Sequence, residues 1–301
     1  MRRQAEGSIP KNTAVRAARL RGVGWLAALA VAALFLSVLA LIAVSLASPA
    51  WSAEPDYTAL FAGRDGCFEL YDLKSNKTIT RYNPKRCATP LSPCSTFKVP
   101  IALMAFDAGI LKDESSSLKW DGTQYSRKEW NQDQTAATWM SRSVVWFSQR
   151  LTPKLGMDRI KKYLAGFHYG NQDMSGGITK AWLQTSLLIS PDEQLEFWKR
   201  FWREDLPVSK HAFAMTKKIT YVDTSPAGWV LHGKTGSGAL LGANGRPMGG
   251  MGWFAGHVSK DGRELVFVTN YADQVSPLDS LPPGPVAREI TRKILHEMRL
   301  Y

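Results

Sequence analysis

Residues 250–271 read GMGWFAGHVSKDGRELVFVTNY and contain two strand-like runs. These runs, residues 250–258 and 263–271, are rich in aromatic and β-branched side chains, which favour strands. The dipeptide Asp261-Gly262 between them is a strong signal for a tight turn joining antiparallel strands. Residues 228–234 are a further strand candidate, so the sequence predicts an antiparallel sheet near the carboxyl end of the chain.

Strand-like runs also occur in the first third of the chain, at residues 67–73 and 78–82. They are joined by residues 74–77, a polar segment containing Ser75 and Asn76 that is typical of a turn. A second hairpin is therefore predicted here.

The middle of the chain has helical patterns. Ser190-Pro191-Asp192-Glu193 combines a capping box with proline at the first helical position, which predicts a helix through about Trp202. Two shorter helices are predicted at residues 143–151 and 157–164, with Pro153 interrupting between them.

A closing helix is predicted at residues 286–300, where Ile290, Ile294 and Leu295 share one face. Strands at both ends with helices between them predict a mixed α/β fold of the α+β type. In this fold, both chain ends build a central antiparallel sheet that is flanked by helices and carries an inserted all-helical lobe. We expect one domain over residues 54–301, since no linker or internal repeat divides it.

The amino-terminal residues 1–53 have the layout of an export segment. A basic leader is followed by an uncharged stretch between Arg21 and Glu54, in which leucine, alanine and valine dominate. This pattern predicts either a signal peptide cleaved after Ala50 or Ser52, or a membrane anchor through residues 22–46. In both cases the basic end stays in the cytoplasm and the remaining chain is carried into the periplasm.

The composition indicates a globular protein with a mildly basic surface. The chain has 301 residues, of which 45% are hydrophobic and 21% charged, with a formal net charge of +12. No dense block of lysine and arginine and no nucleic-acid-binding signature is present, so we expect no nucleic acid partner. A small-molecule substrate with a carboxylate suits the charge better.

The three cysteines lie in the part expected to be exported, where disulfides persist. Cys67 and Cys87 flank the hairpin predicted at residues 67–82, so pairing them is reasonable, although three free thiols remain an alternative. Cys94 is expected to be a small buried residue.

Ser95-Thr96-Phe97-Lys98 is the first candidate for catalysis. On a helix, residues three apart share a face, so the Lys98 amine would lie beside the Ser95 hydroxyl. A serine becomes a strong nucleophile only when a base takes its proton, and lysine can be that base only without its charge. The apolar run at residues 99–104 indicates that Lys98 is buried. The ordinary alternative is an N-capping serine with a surface lysine.

Two further stretches carry hydroxyl groups. Lys234-Thr235-Gly236-Ser237-Gly238 ends a predicted strand, and a strand edge with a cation and hydroxyls suits a carboxylate-bearing substrate lying alongside it. Ser143-Val144-Val145 begins a predicted helix, where a serine is most often an N-cap.

The order of these motifs, S-x-x-K, then S-x-V, then K-T-G, resembles that of the class D, oxacillin-hydrolysing serine β-lactamases in the penicillin-recognising superfamily. Tyr169-Gly170-Asn171 and Trp182 add to the similarity, which extends from about residue 57 to the closing helix. Class A enzymes match less well, because their S-D-N triplet is missing.

The resemblance implies hydrolysis of β-lactam antibiotics, and hence antibiotic resistance. It implies an acyl-enzyme on Ser95 and a general base made by carbon dioxide, bound as a carbamate on Lys98 (N6-carboxylysine), with no metal and no other cofactor. It further implies the following roles: Ser143 as proton relay, Trp182 as the donor that holds the carbamate, Ser95 and Ser237 as the oxyanion hole, Lys234, Thr235 and Ser237 as carboxylate ligands beside Gly236, Tyr169 and Asn171 as the pocket floor, and Val145 and Leu183 as the apolar screen of the carbamate.

One position departs from the family pattern, which has an arginine at the start of the last helix to grip the substrate carboxylate. Depending on register, Arg288 is that residue, or Val286 has replaced it. We favour Arg288.

Three other functions compete with hydrolysis. The same fold could serve as a β-lactam sensor that is acylated once, or as a D,D-peptidase acting on cell-wall peptide. A structural envelope protein is the third alternative, but it would explain none of the motifs. Both a monomer and a homodimer are compatible with the sequence.

Overall fold

The structure, a computed structural model, describes residues 54–241, 246–273 and 282–301. The predicted signal peptide or anchor therefore lies outside the described residues. Among the helices that are described, none combines the length and the apolar character needed to cross a bilayer.

Six strands form the central antiparallel sheet. They are β1 (Asp65–Asp72), β2 (Lys77–Tyr82), β5 (Tyr221–Thr224), β6 (Val230–Leu241), β7 (Pro247–Lys260) and β8 (Arg263–Asp273), while β3 (Ser117–Leu118) and β4 (Gln134–Thr135) pair separately. The order in the sheet is β2-β1-β8-β7-β6-β5. Because β1 pairs with β8, the prediction of a sheet built from both chain ends is confirmed.

The predicted hairpin at Asp261-Gly262 is present. The two turn residues have φ angles of 49° and 75°, as a type I′ turn requires, and Lys260 pairs with Arg263. The strand predicted at residues 228–234 continues as β6 to Leu241, because β7 supplies an antiparallel partner along its whole length. The prediction that the K-T-G motif ends a strand is therefore wrong, since residues 234–238 lie inside β6.

The described helices connect and cover this sheet. They are α1 (Tyr57–Phe61), α2 (Pro84–Cys87), α3 (Lys98–Asp107), α4 (Ala136–Ser141), α5 (Val145–Leu155), α6 (Met157–Phe167), α7 (Pro191–Trp202), α8 (Lys210–Ile219) and α9 (Pro283–Glu297), with 3₁₀ turns at Cys94–Phe97 and Lys128–Trp130. The capping box that begins α7 is confirmed, since Ser190 Oγ accepts from Glu193 N and Ser190 N donates to Glu193 Oε2.

The helix predicted at residues 143–151 is displaced. α5 begins at Val145 and passes through Pro153, so the predicted interruption at this proline is wrong. A proline near a helix end removes only one N–H donor, and burial of Leu151 and Leu155 stabilises the last turns of the helix. The chain breaks at Gly156 instead, where a φ of 80° suits glycine.

Buried apolar side chains cover both faces of the sheet. Along β8, Val266 and Val268 pack with the helical lobe, whereas Leu265 and Phe267 pack with α1 and α9 on the opposite face. This alternation follows from the two-residue period of a strand. The mixed fold with a helix-flanked antiparallel sheet is thereby confirmed, and α3 lies buried in the lobe core.

Candidate active site

Ser95 and Lys98 meet at the start of α3. Ser95 lies in the 3₁₀ turn Cys94–Phe97, which runs directly into the helix, and Lys98 Nζ donates a hydrogen bond of 3.1 Å to Ser95 Oγ. The Lys98 side chain has 0% exposure, and this burial lowers its pKa to about 7 because a charged amine is poorly solvated there. Near neutral pH the amine can therefore accept a proton.

The turn that carries Ser95 is fixed by its neighbours. Thr96 Oγ1 donates to the carbonyl of Pro93 at 2.7 Å, and Cys94 adopts the left-handed conformation with a φ of 50°. Strand β6 packs tightly against this turn. A Cβ at Gly236 would lie 3.0 Å from the Pro93 carbonyl oxygen, and one at Gly238 would lie 2.8 Å from Cys94 Sγ. Gly236 is thus required for close packing of the strand on the nucleophile turn.

Lys234 is a second buried amine, on β6. Its Nζ donates to the carbonyl of Thr235 at 3.0 Å and to Thr235 Oγ1 at 3.3 Å. Burial, followed by the positive charges of Lys98, Arg127 and Arg288, lowers the pKa of Lys234 well below its usual value. An anion arriving beside this amine would relieve the repulsion between these cations.

Ser95 and Thr235 border an open cleft of about 410 Å³, whereas the buried side chains of Lys98, Lys234 and Trp182 are not part of its lining. Among the residues predicted from the sequence, its lining contains Ser95, Ser143, Val145, Thr235, Ser237 and Arg288. The lining also includes residues that the sequence did not single out, namely Arg127, Glu129, Trp130, Ser141, Arg142 and Pro285. Residues of all three motifs therefore line one cleft, and residues between 127 and 142 form another part of its wall.

Ser143 is not an N-cap. It has a φ of 58°, an uncommon left-handed conformation for a residue other than glycine, and Val144 occupies the cap position of α5 without a side-chain cap. Within the described part of the chain, the Ser143 hydroxyl has no hydrogen-bond partner, so it remains available to a molecule in the cleft.

Arg288, not Val286, faces the cleft from α9. Val286 packs instead against the apolar cluster between α9 and the sheet. Close contact between α9 and β6 brings the helix to this position: Gly284 N donates to Ser237 Oγ at 2.9 Å, and a Cβ at Gly284 would lie 2.8 Å from that oxygen.

Trp182 lies fully buried beside the nucleophile turn, with its ring 5.5 Å from that of Phe97. Its indole Nε1 has no hydrogen-bond partner among the described residues, although buried donors are nearly always paired. An unpaired buried donor beside the turn that carries Ser95, and a buried amine of lowered pKa at the end of that turn, fit a lysine carbamate. Of the two residues expected to screen the carbamate, Val145 lines the cleft and Leu183 is half-buried against the lobe core.

Tyr169 and Asn171 lie outside the cleft lining, contrary to the expectation that they form its floor. Tyr169 is fully buried, and its hydroxyl accepts from Gln194 Nε2 at 3.2 Å. Asn171 braces a loop, donating to the Ser186 carbonyl and accepting from Leu188 N. Both therefore support the structure behind the site.

Gln184 closes one end of the exposed edge of β6, a contact that the sequence did not reveal. β5 pairs only with residues 230–232 of β6, so the remaining edge is free of strand partners in the described structure. At Ala239, the Gln184 side chain replaces such a partner: its Nε2 donates to the carbonyl at 2.5 Å and its Oε1 accepts from the N–H at 2.9 Å. The available edge thus ends at Gly238.

The cysteines differ in state. Cys67 and Cys87 form a disulfide with a Cα–Cα distance of 5.4 Å. Cys94 is a free, buried thiol whose pKa burial raises to about 11, so it is protonated at neutral pH. The only cluster of potential metal ligands among the described residues contains Cys67 and Cys87, whose sulfurs are already bonded to each other, with Glu69.

The chain is similar to several known proteins. A family model described as the penicillin binding protein transpeptidase domain matches residues 66–296. β-Lactamase OXA-1 of Escherichia coli is 43% identical over 244 residues, covering 79% of this chain and 86% of that protein. A class D β-lactamase structure from Bacillus subtilis has a TM-score of 0.72 at 34% identity, covering 83% of this chain and 98% of that one. The C-terminal domain of the Bacillus licheniformis BlaR penicillin receptor has a TM-score of 0.74 at 34% identity, covering 82% and 96%.

Proposed function

The chain belongs to the class D β-lactamases of the penicillin-binding transpeptidase family, and we propose that it hydrolyses β-lactam antibiotics through an acyl-enzyme on Ser95. The observation that carries this proposal is the 3.1 Å hydrogen bond between Lys98 Nζ and Ser95 Oγ at the base of an open cleft. A buried amine with a pKa of about 7 is an effective proton acceptor at neutral pH.

Acylation follows from this pair. Ser95 Oγ attacks the lactam carbonyl while its proton passes to the base at Lys98, and the ring C–N bond then breaks to leave an ester on Ser95. The backbone N–H groups of Ser95 and Ser237 stabilise the negative oxygen. Ser143, whose hydroxyl does not cap a helix, passes a proton to the departing ring nitrogen.

The substrate carboxylate binds at the other side of the cleft. Lys234, Thr235 and Arg288 supply a buried amine, a hydroxyl and a guanidinium that can hold an anion together. Ser237 keeps α9 in place through its contact with Gly284 N, and so positions Arg288.

We further propose that Lys98 is carboxylated. Its low pKa supplies the neutral amine that reacts with carbon dioxide, and the unpaired Trp182 Nε1 would hold the product, screened by Val145 and Leu183. When bound, carbon dioxide supplies a carboxylate base for acylation and for the attack of water on the acyl-enzyme.

The alternative is a sensor, because the BlaR receptor domain is similar to this chain over most of its length. A sensor forms the same Ser95 ester but keeps it. Intact-protein mass spectrometry after penicillin treatment should find a short-lived adduct together with sustained turnover of nitrocefin. Ser95→Ala should abolish both, whereas Ser115→Ala, which alters an exposed surface serine, should change neither. A permanent adduct without turnover would establish the sensor, and normal turnover by Ser95→Ala would refute the nucleophile.

We also propose export to the periplasm, where hydrolysis would give antibiotic resistance. The support is the basic and apolar layout of residues 1–53. Amino-terminal sequencing of the mature protein should find either a start near Glu54 or an intact anchor, and a chain that stays in the cytoplasm would contradict export.

A further inference from the structure

Arg127 brings a positive charge into the cleft from a position outside the family motifs. It lines the cleft together with Ser95 and Arg288, and its guanidinium carbon lies 5.3 Å from the centre of the Trp130 ring. Trp130 is itself held in place, since its Nε1 donates to the Arg142 carbonyl at 3.0 Å and its own carbonyl accepts from Trp146 Nε1 at 3.0 Å. Arg127 therefore stacks on a fixed support.

The guanidinium of Arg127 acts on both buried amines of the site. Its positive charge contributes to the lowered pKa of Lys98 and to that of Lys234. In the described part of the chain, no carboxylate lies within ion-pair distance of Arg127 or Arg142. Positive charges held close together repel one another, and such repulsion is expected where an anion is supplied by a ligand.

The cleft holds more positive charge than one substrate carboxylate can neutralise. Three arginines and one glutamate line the cleft, with the amine of Lys234 beneath them. The ring carboxylate of a β-lactam, held by Lys234 and Arg288, accounts for part of this charge. Arg127 and Arg142 remain for a second anion.

The proposed chemistry indicates where that anion sits on the substrate. Ser143 gives its proton to the lactam nitrogen, so this nitrogen and the ring fused to it lie next to Ser143. Arg142 precedes Ser143 in the chain, and both line the same wall as Arg127. The substituent on the fused ring, rather than the acylamino chain, thus approaches Arg127.

We infer that Arg127 selects cephalosporins that carry a second anionic group on the ring substituent. This inference rests on the proposed hydrolytic function and names a substrate class for it. The positive charge of Arg127 attracts the second anionic group of a dianionic substrate in a partly desolvated cleft. A substrate with a neutral substituent lacks this attraction.

A matched pair of cephalosporins tests the inference. Cefotaxime and ceftriaxone share one acylamino side chain, but the ring substituent is neutral in the first and an ionised triazinone in the second. Apparent inhibition constants are measured for both against nitrocefin hydrolysis. Arg127→Gln should raise the apparent inhibition constant of ceftriaxone about five- to tenfold and that of cefotaxime less than about twofold. Arg127→Lys should restore most of the wild type's preference for ceftriaxone over cefotaxime. Added salt should reduce this preference in the wild type.

The control is Lys128→Gln, which removes the same charge from the adjacent exposed residue outside the cleft lining. It should leave both constants unchanged. Equal changes for the two compounds in Arg127→Gln, or the same selectivity change in Lys128→Gln, would overturn the inference. Nitrocefin turnover by the wild type tests the hydrolytic function separately, so a failure of that function is recognised independently of the selectivity.

Discussion

The amine of Lys98 contacts the hydroxyl of Ser95 from a position with no exposed surface. Burial is the largest cause of its lowered pKa, ahead of the charge of any neighbour. Lys234 is similarly buried but donates to Thr235. The two buried amines therefore differ in their partners, and the proposed mechanism gives them different roles: Lys98 activates Ser95, and Lys234 binds the substrate carboxylate.

Burying Lys98 should reduce stability in a pH-dependent way. Its pKa is about 7 when folded and about 10.4 when unfolded, so between these values the unfolded chain binds more protons and stability rises with pH. Below pH 7 the amine is charged in both states, so burying the charge lowers the free energy of unfolding by its full amount. Lys98→Met should raise the free energy of unfolding at pH 6 by about 4 to 5 kcal/mol, with a smaller gain at pH 10.

Urea unfolding in bicarbonate-free buffer measures this difference. The exposed Lys128→Met is the control and should show no comparable pH dependence. A gain in Lys98→Met that is the same at both pH values would mean that Lys98 keeps an ordinary pKa in the folded protein.

Trp182→Phe tests whether the unpaired indole N–H holds a carbamate. The ring packing is largely kept, so the fold should survive, but turnover should fall by about tenfold or more and recover in part with added bicarbonate. Trp202→Phe is the matched control, because Trp202 Nε1 is also buried and unpaired but does not adjoin the nucleophile turn. If bicarbonate has no effect on Trp182→Phe, Trp182 serves only for packing.

Gln184→Ala should lengthen the substrate-binding edge. Without the side chain, the N–H and carbonyl of Ala239 become free to pair with a larger acylamino group. The ratio of kcat/KM for oxacillin to that for benzylpenicillin should rise severalfold. An unchanged ratio with a lower Tm would show that Gln184 only stabilises the loop.

The disulfide should contribute to stability without affecting catalysis. It links Cys67 to Cys87 across a separation of 20 residues, and both lie outside the cleft lining. Replacing both cysteines by alanine should lower the free energy of unfolding by about 3 kcal/mol with little change in kcat. Dithiothreitol should destabilise the wild type but not this variant, and an equal response in both would argue against the bridge.

Local signals in the sequence predicted much of the fold. The turn at Asp261-Gly262 and the capping box at Ser190 each depend on a few adjacent residues, and both are present. Ser95 and Lys98 are also local, because one helical turn brings them together. Such features are predictable since the backbone alone sets the distance between the interacting groups.

Features that depend on distant parts of the chain were not predictable. The length of β6 is set by its partner β7, and Gln184 meets Ala239 across 55 residues. The cleft wall at Arg127 likewise has no motif, and only the folded chain brings it close to Lys98 and Lys234. At Pro153, burial of the surrounding helix outweighed a local breaking signal.

The proposed chemistry requires Lys98 to react as a neutral amine, and ¹³C NMR with labelled bicarbonate detects the product of that reaction. At mildly alkaline pH the wild type should show one carbamate signal that is absent from Lys98→Ala and disappears when nitrocefin turnover is lost on acidification below pH 6. A wild-type spectrum without this signal, in a protein that still hydrolyses nitrocefin, would mean that hydrolysis does not use a carbamate on Lys98.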